Sequence, residues 1–257
     1  MVGQTLKQSL QSWLITVAAA LALAGAVPAL ASESAATFAS ASNDVSNVAS
    51  LQRGARNFVN YCLGCHSAKY VRYNQLALDL GLSEKQLIDN LMFSAAKPTE
   101  TMDIAMRSSD SRRWFGQAPP DLSLIARSKG VDHVYNFLRS FYLDPSRPNG
   151  VNNLALPNAS MPHVLWELQG LQTAIFEEEE HNGTKQIVFR EFESASTGKL
   201  TPEQYDEFVR DTVNFLDYIA EPMKLKRQNL GLLVITFLLV FGLFAYLLKL
   251  EIWKDVK

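Results

Sequence analysis

The chain has two cysteines, Cys62 and Cys65, three residues apart, and His66 stands directly behind them in the stretch Asn-Tyr-Cys-Leu-Gly-Cys-His. On a helix these three side chains occupy i, i+3 and i+4 and project from one face. A flat macrocycle laid on that face would take two thioether bonds to its vinyl groups while the imidazole reaches its iron, which is the signature of c-type haem attachment. Three other uses compete. A structural zinc site needs two more ligands at finger-like spacing, and His133, His163 and His181 lie far along the chain from the cysteines and from one another. A thioredoxin-type dithiol sits between a strand and a helix, and no strand is predicted upstream of Cys62. A short structural disulfide with an incidental histidine is the plainest alternative.

His66 would supply one axial bond to a haem iron, and the group on the other side decides between electron transfer and chemistry on a bound molecule. The thioethers available are Met92, Met102, Met106 and Met161, beside the three remaining histidines. Met92 falls on a predicted helix next to Ile88 and Leu91 and reads as core packing. Met102 and Met106 are one helical turn apart in a polar stretch. Met161 lies in a proline-rich loop, with Pro162 restricting its backbone. Residue chemistry alone leaves Met161, Met102 and Met106 open.

The elements that must position these groups follow from periodicity. Val45, Val48, Leu51, Ala55, Phe58, Val59 and Cys62 recur at helical spacing, so the cysteines are expected at the C-terminal end of a helix. Ser83 and Gln86 form a capping box for a short helix containing Leu87, Ile88 and Leu91. Residues 94–120, with Pro98, Gly116, Pro119 and Pro120, are expected to be irregular. Asp121 is expected to cap a helix ending at Gly130, and Asp132 another that stops before Pro145. The stretch 146–162 reads as loop. Residues 172–176 and 186–192 read as strands of a hairpin around His181-Asn182-Gly183. Thr201 and Gln204, with Pro202 at the first helical position, start a helix that buries Tyr205, Phe208, Val209, Leu216 and Ile219. The expected fold is mainly α, a haem domain with long loops and a small β-hairpin insertion.

Both ends of the chain carry apolar runs. Residues 1–31 begin with one basic residue, Lys7, continue through an apolar stretch from Trp13 to Val27, and close on Ala29-Leu30-Ala31. That is the pattern of a secretory signal peptide rather than of an arginine-rich mitochondrial presequence. Residues 32–44 are small and polar and are expected to form a linker to a domain spanning 45–222. Leu230 to Leu248 are nineteen residues without a charge, roughly 29 Å of helix and about the hydrocarbon thickness of a bilayer. The transmembrane anchor is placed at 223–249 and a short cytoplasmic tail at 250–257. Basic residues flank the run on both sides, so orientation rests on the signal peptide, which puts the domain outside the cytoplasm. Loss of Lys7 on cleavage moves the formal charge from −2 to −3, and no basic face suited to nucleic acid is present.

Three stretches taken in order resemble the cytochrome c1 family, the haem subunit of ubiquinol–cytochrome c reductase (the cytochrome bc1 complex). They are Cys62-Leu-Gly-Cys-His66 followed by Tyr70-Val-Arg-Tyr73, then Ala118-Pro-Pro-Asp-Leu-Ser123, then Ser160-Met-Pro162. The C-terminal anchor completes the resemblance. The haem motif is common to many c-type cytochromes; its combination with the other two stretches is far more specific. The resemblance implies one haem c held covalently by Cys62 and Cys65, with His66 and Met161 as axial iron ligands. It implies that a carbonyl of Pro119 or Pro120 accepts from the other ring nitrogen of His66, and that Arg127 faces a haem propionate, with Lys129 as the close competitor.

The resemblance also implies single-electron transfer from a Rieske iron–sulfur subunit to a soluble or membrane-tethered cytochrome c. A cytochrome b subunit, membrane lipid and a dimeric complex in the bacterial inner membrane belong to the same reading, with the haem domain on the periplasmic side. The acidic run Glu177 to Glu180 is either a docking patch for a basic partner or a solvated face. Two other functions remain: a c-type subunit of a terminal oxidase or nitrogen-oxide reductase, or an exported thiol–disulfide oxidoreductase.

Overall fold

The computed structural model describes residues 38–181 and 184–254. Residues 1–37, where the signal peptide is expected, and residues 182–183, where the hairpin turn is expected, lie outside them. Helix α1 (Val48–Tyr61) opens where the Asn47 side chain accepts from Ser50 N, a strong N-cap arrangement. Strand β1 (Ala68–Arg72) and helix α2 (Tyr73–Leu80) follow, and α2 ends at Gly81 in the left-handed region. Helix α3 (Glu84–Leu91) starts in the expected capping box, Ser83 with Gln86.

The stretch 94–120 is more ordered than its prolines suggest. It holds strand β2 (Thr101–Met102), antiparallel to β1, and helix α4 (Ser108–Phe115). Helices α5 (Ile125–Lys129) and α6 (Val131–Arg139) meet at Gly130. Neither is capped as expected. The Asp121 carboxylate is engaged elsewhere, and α5 has Leu124 at its N-cap. Asp132 lies inside the first turn of α6, where its Oδ1 accepts from Ala41 N at 2.7 Å. That bond belongs to a set that ties the expected linker down: Asn136 bonds both the N–H and the carbonyl of Ala39, Arg210 donates to the Ala41 carbonyl, and Ala41 is fully buried.

Strands β3 (Phe141–Leu143) and β4 (Val151–Asn153) pair across the loop that starts at Pro145. A single turn, α7 (Trp166–Gln169), leads into β5 (Gly170–His181), which pairs with β6 (Thr184–Thr197). This hairpin is longer than the alternation predicts. Glu177 and Glu179 both pair with Arg190, and Glu178 pairs with Lys185 at 3.0 Å, so the acidic run continues the strand with cross-strand partners. Such pairing partly neutralises the run, although with Glu191 and Glu193 on β6 the hairpin keeps more acidic than basic side chains.

Helix α8 (Pro202–Ala220) begins in the Thr201–Gln204 capping box and packs along α1. Tyr205, Val209, Leu216 and Ile219 are buried as expected, whereas Phe208 is only half-buried. The α1–α8 crossing is close at Gly54, where an added Cβ would lie 2.1 Å from the Asp211 carbonyl oxygen and 2.7 Å from Phe215 Cβ. Above it, Arg53 grips the buried Asp211 carboxylate with two bonds of 2.5 and 2.9 Å, and Ser50 Oγ donates to the same group at 2.6 Å. Below it, the rings of Phe58 and Phe215 are 5.5 Å apart. Gly54→Ala should therefore force two buried backbones apart and cost about 1–3 kcal/mol. A denaturant melt of the purified protein checks this, and an unchanged midpoint would mean that the helices are free to separate.

Beyond Glu221-Pro222-Met223, helix α9 (Lys224–Ile252) runs for 29 residues with none of them buried. It is long and apolar enough to cross a membrane. Lys224 bonds Asp217 at 2.8 Å and Arg227 bonds Glu221 at 2.6 Å, joining its first turn to the end of α8.

Candidate haem site

The cysteine motif leaves the end of α1 as a coiled turn rather than a further helical turn. Cys62 N and Leu63 N both donate to the Phe58 carbonyl, and Cys65 N and His66 N both donate to the Cys62 carbonyl. Two carbonyls thus each take two donors, which tightens the chain at the helix end and gathers Cys62, Cys65 and His66 on one side. Both thiols are free.

Burial, and behind it the neighbouring Cys65, pushes the Cys62 thiol up to about 12. Its position at a helix C-terminus also disfavours negative charge. A dithiol catalyst needs the reverse, a nucleophilic sulfur with a lowered pKa, commonly at a helix N-terminus. Both features argue against the oxidoreductase alternative.

His66 is oriented from the Ala118–Ser123 loop. Its Nδ1 lies 2.7 Å from the carbonyl oxygen of Pro120, which makes Nδ1 the protonated nitrogen and leaves Nε2 with its lone pair. Burial pulls the imidazole pKa down, against the opposing pull of the Pro120 carbonyl and Asp121. The ring therefore favours its neutral, metal-binding form.

The loop is itself stapled to the residues after His66. Asp121 Oδ2 accepts from Ser67 Oγ at 2.8 Å and from Lys69 N at 2.9 Å. Its Oδ1 accepts from Ser123 N at 2.9 Å, and Tyr70 N donates to Ser123 Oγ. Burial alone would raise the Asp121 pKa, but the donors from Ser123, Lys69 and Ser67 outweigh it and hold the carboxyl below its ordinary value. Sequence reasoning assigned Asp121 to a helix cap and gave Ser67 and Ser123 no role. The available signal was the Asp-Leu-Ser spacing, an Asx-turn pattern that satisfies its own loop before it caps anything.

A cavity of about 370 Å³ opens beside these groups, within the size range of small-molecule and cofactor sites. Cys62, Cys65, His66, Pro119 and Pro120 line one side, and Leu156, Ser160, Met161 and Pro162 come from the loop after β4. Helix α8 contributes Phe208, Thr212 and Leu216, and α1 contributes Asn57 and Tyr61. Asn57 Nδ2 bonds the Phe208 carbonyl and Thr212 Oγ1, which explains a polar side chain buried on an apolar wall.

Among the described methionines, Met161 lines this cavity. Met102 is fully buried in the β1–β2 pair, and neither it nor Met106 is on the cavity wall. Arg127 is exposed and also off the wall, whereas Lys129 and His133 lie on it. His163 is turned away, stacked on Phe141 with ring centroids 5.0 Å apart.

Residues 39–256 match the sequence model of the Cytochrome C1 family. The chain belongs to the cytochrome c1 family. Cytochrome c1 of Allochromatium vinosum is 48% identical over 217 residues, which cover 84% of this chain and 88% of the relative. Cytochrome c1 of Rhodospirillum rubrum is 29% identical over 80% of this chain and 82% of its own. A protein named ammonia monooxygenase gamma subunit, from Nitrosomonas europaea, is 43% identical over 80% of this chain and 83% of its own. Membership in the cytochrome c1 family implies a c-type haem and a place in respiratory electron transport, and the unburied apolar helix α9 fits a membrane-anchored member.

Proposed function

We propose that this cytochrome c1 carries one covalent haem c on Cys62 and Cys65, with His66 and Met161 as axial ligands. It passes single electrons from a Rieske-type iron–sulfur protein to a cytochrome c acceptor, within a dimeric quinol–cytochrome c reductase that also contains cytochrome b. The haem domain stands on the periplasmic side of the bacterial inner membrane and the C-terminus is cytoplasmic.

The observation that carries this reading is one cavity bordered by two free thiols, a thioether and an imidazole whose Nδ1 is already committed to the Pro120 carbonyl. Sulfur and imidazole donors suit a low-spin iron porphyrin. The haem supplies a one-electron ferric–ferrous couple. The chain's own work is to hold that couple: Pro120 fixes the His66 ring, the apolar walls would limit water, and the Met161 thioether, bound to the iron, would favour the ferrous state and a high potential. Lys129 takes the role expected of Arg127, since it is the basic side chain of that pair on the cavity wall.

The test is purification in mild detergent, a haem stain on a denaturing gel, and identification of every copurifying subunit. One stained band copurifying with a Rieske protein and cytochrome b is the expected result. A stained band with other oxidoreductase subunits would keep the carrier and overturn the complex, an outcome that the relative named for ammonia monooxygenase makes worth testing. An unstained band would overturn the haem itself. Truncation before Lys224 should release a haem-bearing domain into the soluble periplasmic fraction, because α9 is the apolar segment left after cleavage of the leader. Continued sedimentation of that domain with membranes, in a strain lacking its partners, would show a second anchor.

A further inference from the structure

Met161 lies in a loop with little regular structure, yet an axial ligand has to be held within a fraction of an ångström of its productive place. The polar contacts along this loop converge on asparagines. Asn153, almost fully buried, accepts through Oδ1 from Ala155 N at 2.9 Å, Leu156 N at 3.1 Å and Ser140 Oγ at 3.1 Å. Its Nδ2 donates to the carbonyl of Phe137, a residue of the cavity wall, at 2.8 Å. Asn152, also buried, accepts through Oδ1 from Asn158 N at 2.8 Å, and its Nδ2 is held by Asp144 at 2.9 Å. Asn158 is a non-glycine residue with φ of +65°, so the chain reverses there in a left-handed conformation. Asn149 makes only long contacts, 3.5 Å to the Ala159 carbonyl and 3.4 Å to that of Met161.

We infer that Asn152 and Asn153 are positioning residues for the axial thioether: they set the backbone path of residues 155–160 and so hold the Met161 sulfur at the cavity. The inference rests on the proposed haem ligation and adds the residues that maintain it. The asparagine bonds define one backbone path for residues 155–160, and without them the loop would be free to withdraw the sulfur from the cavity. Removing one acceptor breaks bonds to part-buried backbone N–H groups, a loss large enough to shift the ratio of held to withdrawn loop by about tenfold.

The experiment uses the full-length haem protein carrying Asn153→Ala, Asn152→Ala or Asn149→Ala. It measures the sulfur-to-iron charge-transfer band of the ferric form and the binding of carbon monoxide to the ferrous form, which requires an open axial position. Asn153→Ala and Asn152→Ala should keep covalent haem while the band weakens and the fraction binding carbon monoxide rises about tenfold. Asn149→Ala should resemble the parent.

Folded Asn153→Ala and Asn152→Ala proteins with a full band and no carbon monoxide binding would overturn the proposal. So would equal damage from Asn149→Ala, which would mark a general loosening of the loop rather than these two sets of bonds. If Asn153→Ala does not accumulate, Asn152→Ala decides by the same two readings. A Met161→Ala protein separates the two levels: a band that survives there refutes the ligand itself, whereas a band lost there but kept in the asparagine variants refutes only the positioning.

Discussion

Replacing Cys62 and Cys65 together with alanine is expected to abolish covalent haem and to leave little folded protein. The cavity wall is drawn from α1, the Ala118–Ser123 loop, the α5–α6 corner, the Met161 loop and α8, so most of the domain closes around one group. Were it sealed and dry, a cavity of about 370 Å³ would cost about 9 kcal/mol at about 24 cal/mol per Å³, and its open side makes that figure a ceiling. That is the size of the whole stability of an ordinary domain, about 5–15 kcal/mol. The chain has no other cysteine with which to cross-link itself. A haem stain, circular dichroism and limited proteolysis on the exported protein measure the outcome. A stable haem-free domain with native helix content would show that the cavity walls collapse on one another without help.

Met161→Lys is expected to do the opposite: the haem stays attached and its potential falls. Cys62, Cys65 and His66 are untouched by the change, so attachment is preserved. A soft thioether stabilises ferrous iron, whereas an amine is a harder donor that favours ferric iron. Axial identity helps spread haem potentials over about 0.8 V among proteins, so a drop on the order of hundreds of millivolts is the expected scale. For one electron about 59 mV is a tenfold change in equilibrium, and such a haem would be a poor acceptor from an iron–sulfur donor. Quinol turnover should collapse in an assembled complex. A redox titration with the charge-transfer band followed in parallel checks it, and survival of both potential and band would place the ligand elsewhere, with Met106 and Met102 the next to change.

Much of the architecture was legible because it is written in short-range rules. The two capping boxes, Ser83 with Gln86 and Thr201 with Gln204, lie where the sequence predicts them, since each is a contact between residues three apart. The α8 burial pattern and the charge-free run inside α9 follow from helical period and length in the same way. What the sequence could not show was long-range. Asp121 looks like an N-cap by its neighbours, but its carboxylate is engaged by Ser67 and Lys69, more than fifty residues away. Residues 39–43 read as linker by composition, yet they are fastened by Asp132, Asn136 and Arg210.

At the candidate site, the cysteine motif was plain and the choice among methionines was not. Proximity of Met161 to the cavity is a property of a loop path fixed by buried asparagines, and no periodicity reports it. Arg127 and Lys129 show a finer limit. Both are basic and two residues apart on a one-turn helix, and the direction of that short helix decides which one meets the cavity.

The close crossing at Gly54 has a mechanical consequence. Helix α1 ends at the cysteine motif, α8 lies against it without room for a single extra carbon, and α8 is joined to the start of α9 by Lys224–Asp217 and Arg227–Glu221. These three helices form a connected path from the candidate haem cavity to the apolar segment. Were α9 to span a membrane, a haem in that cavity would be held close to one height above it.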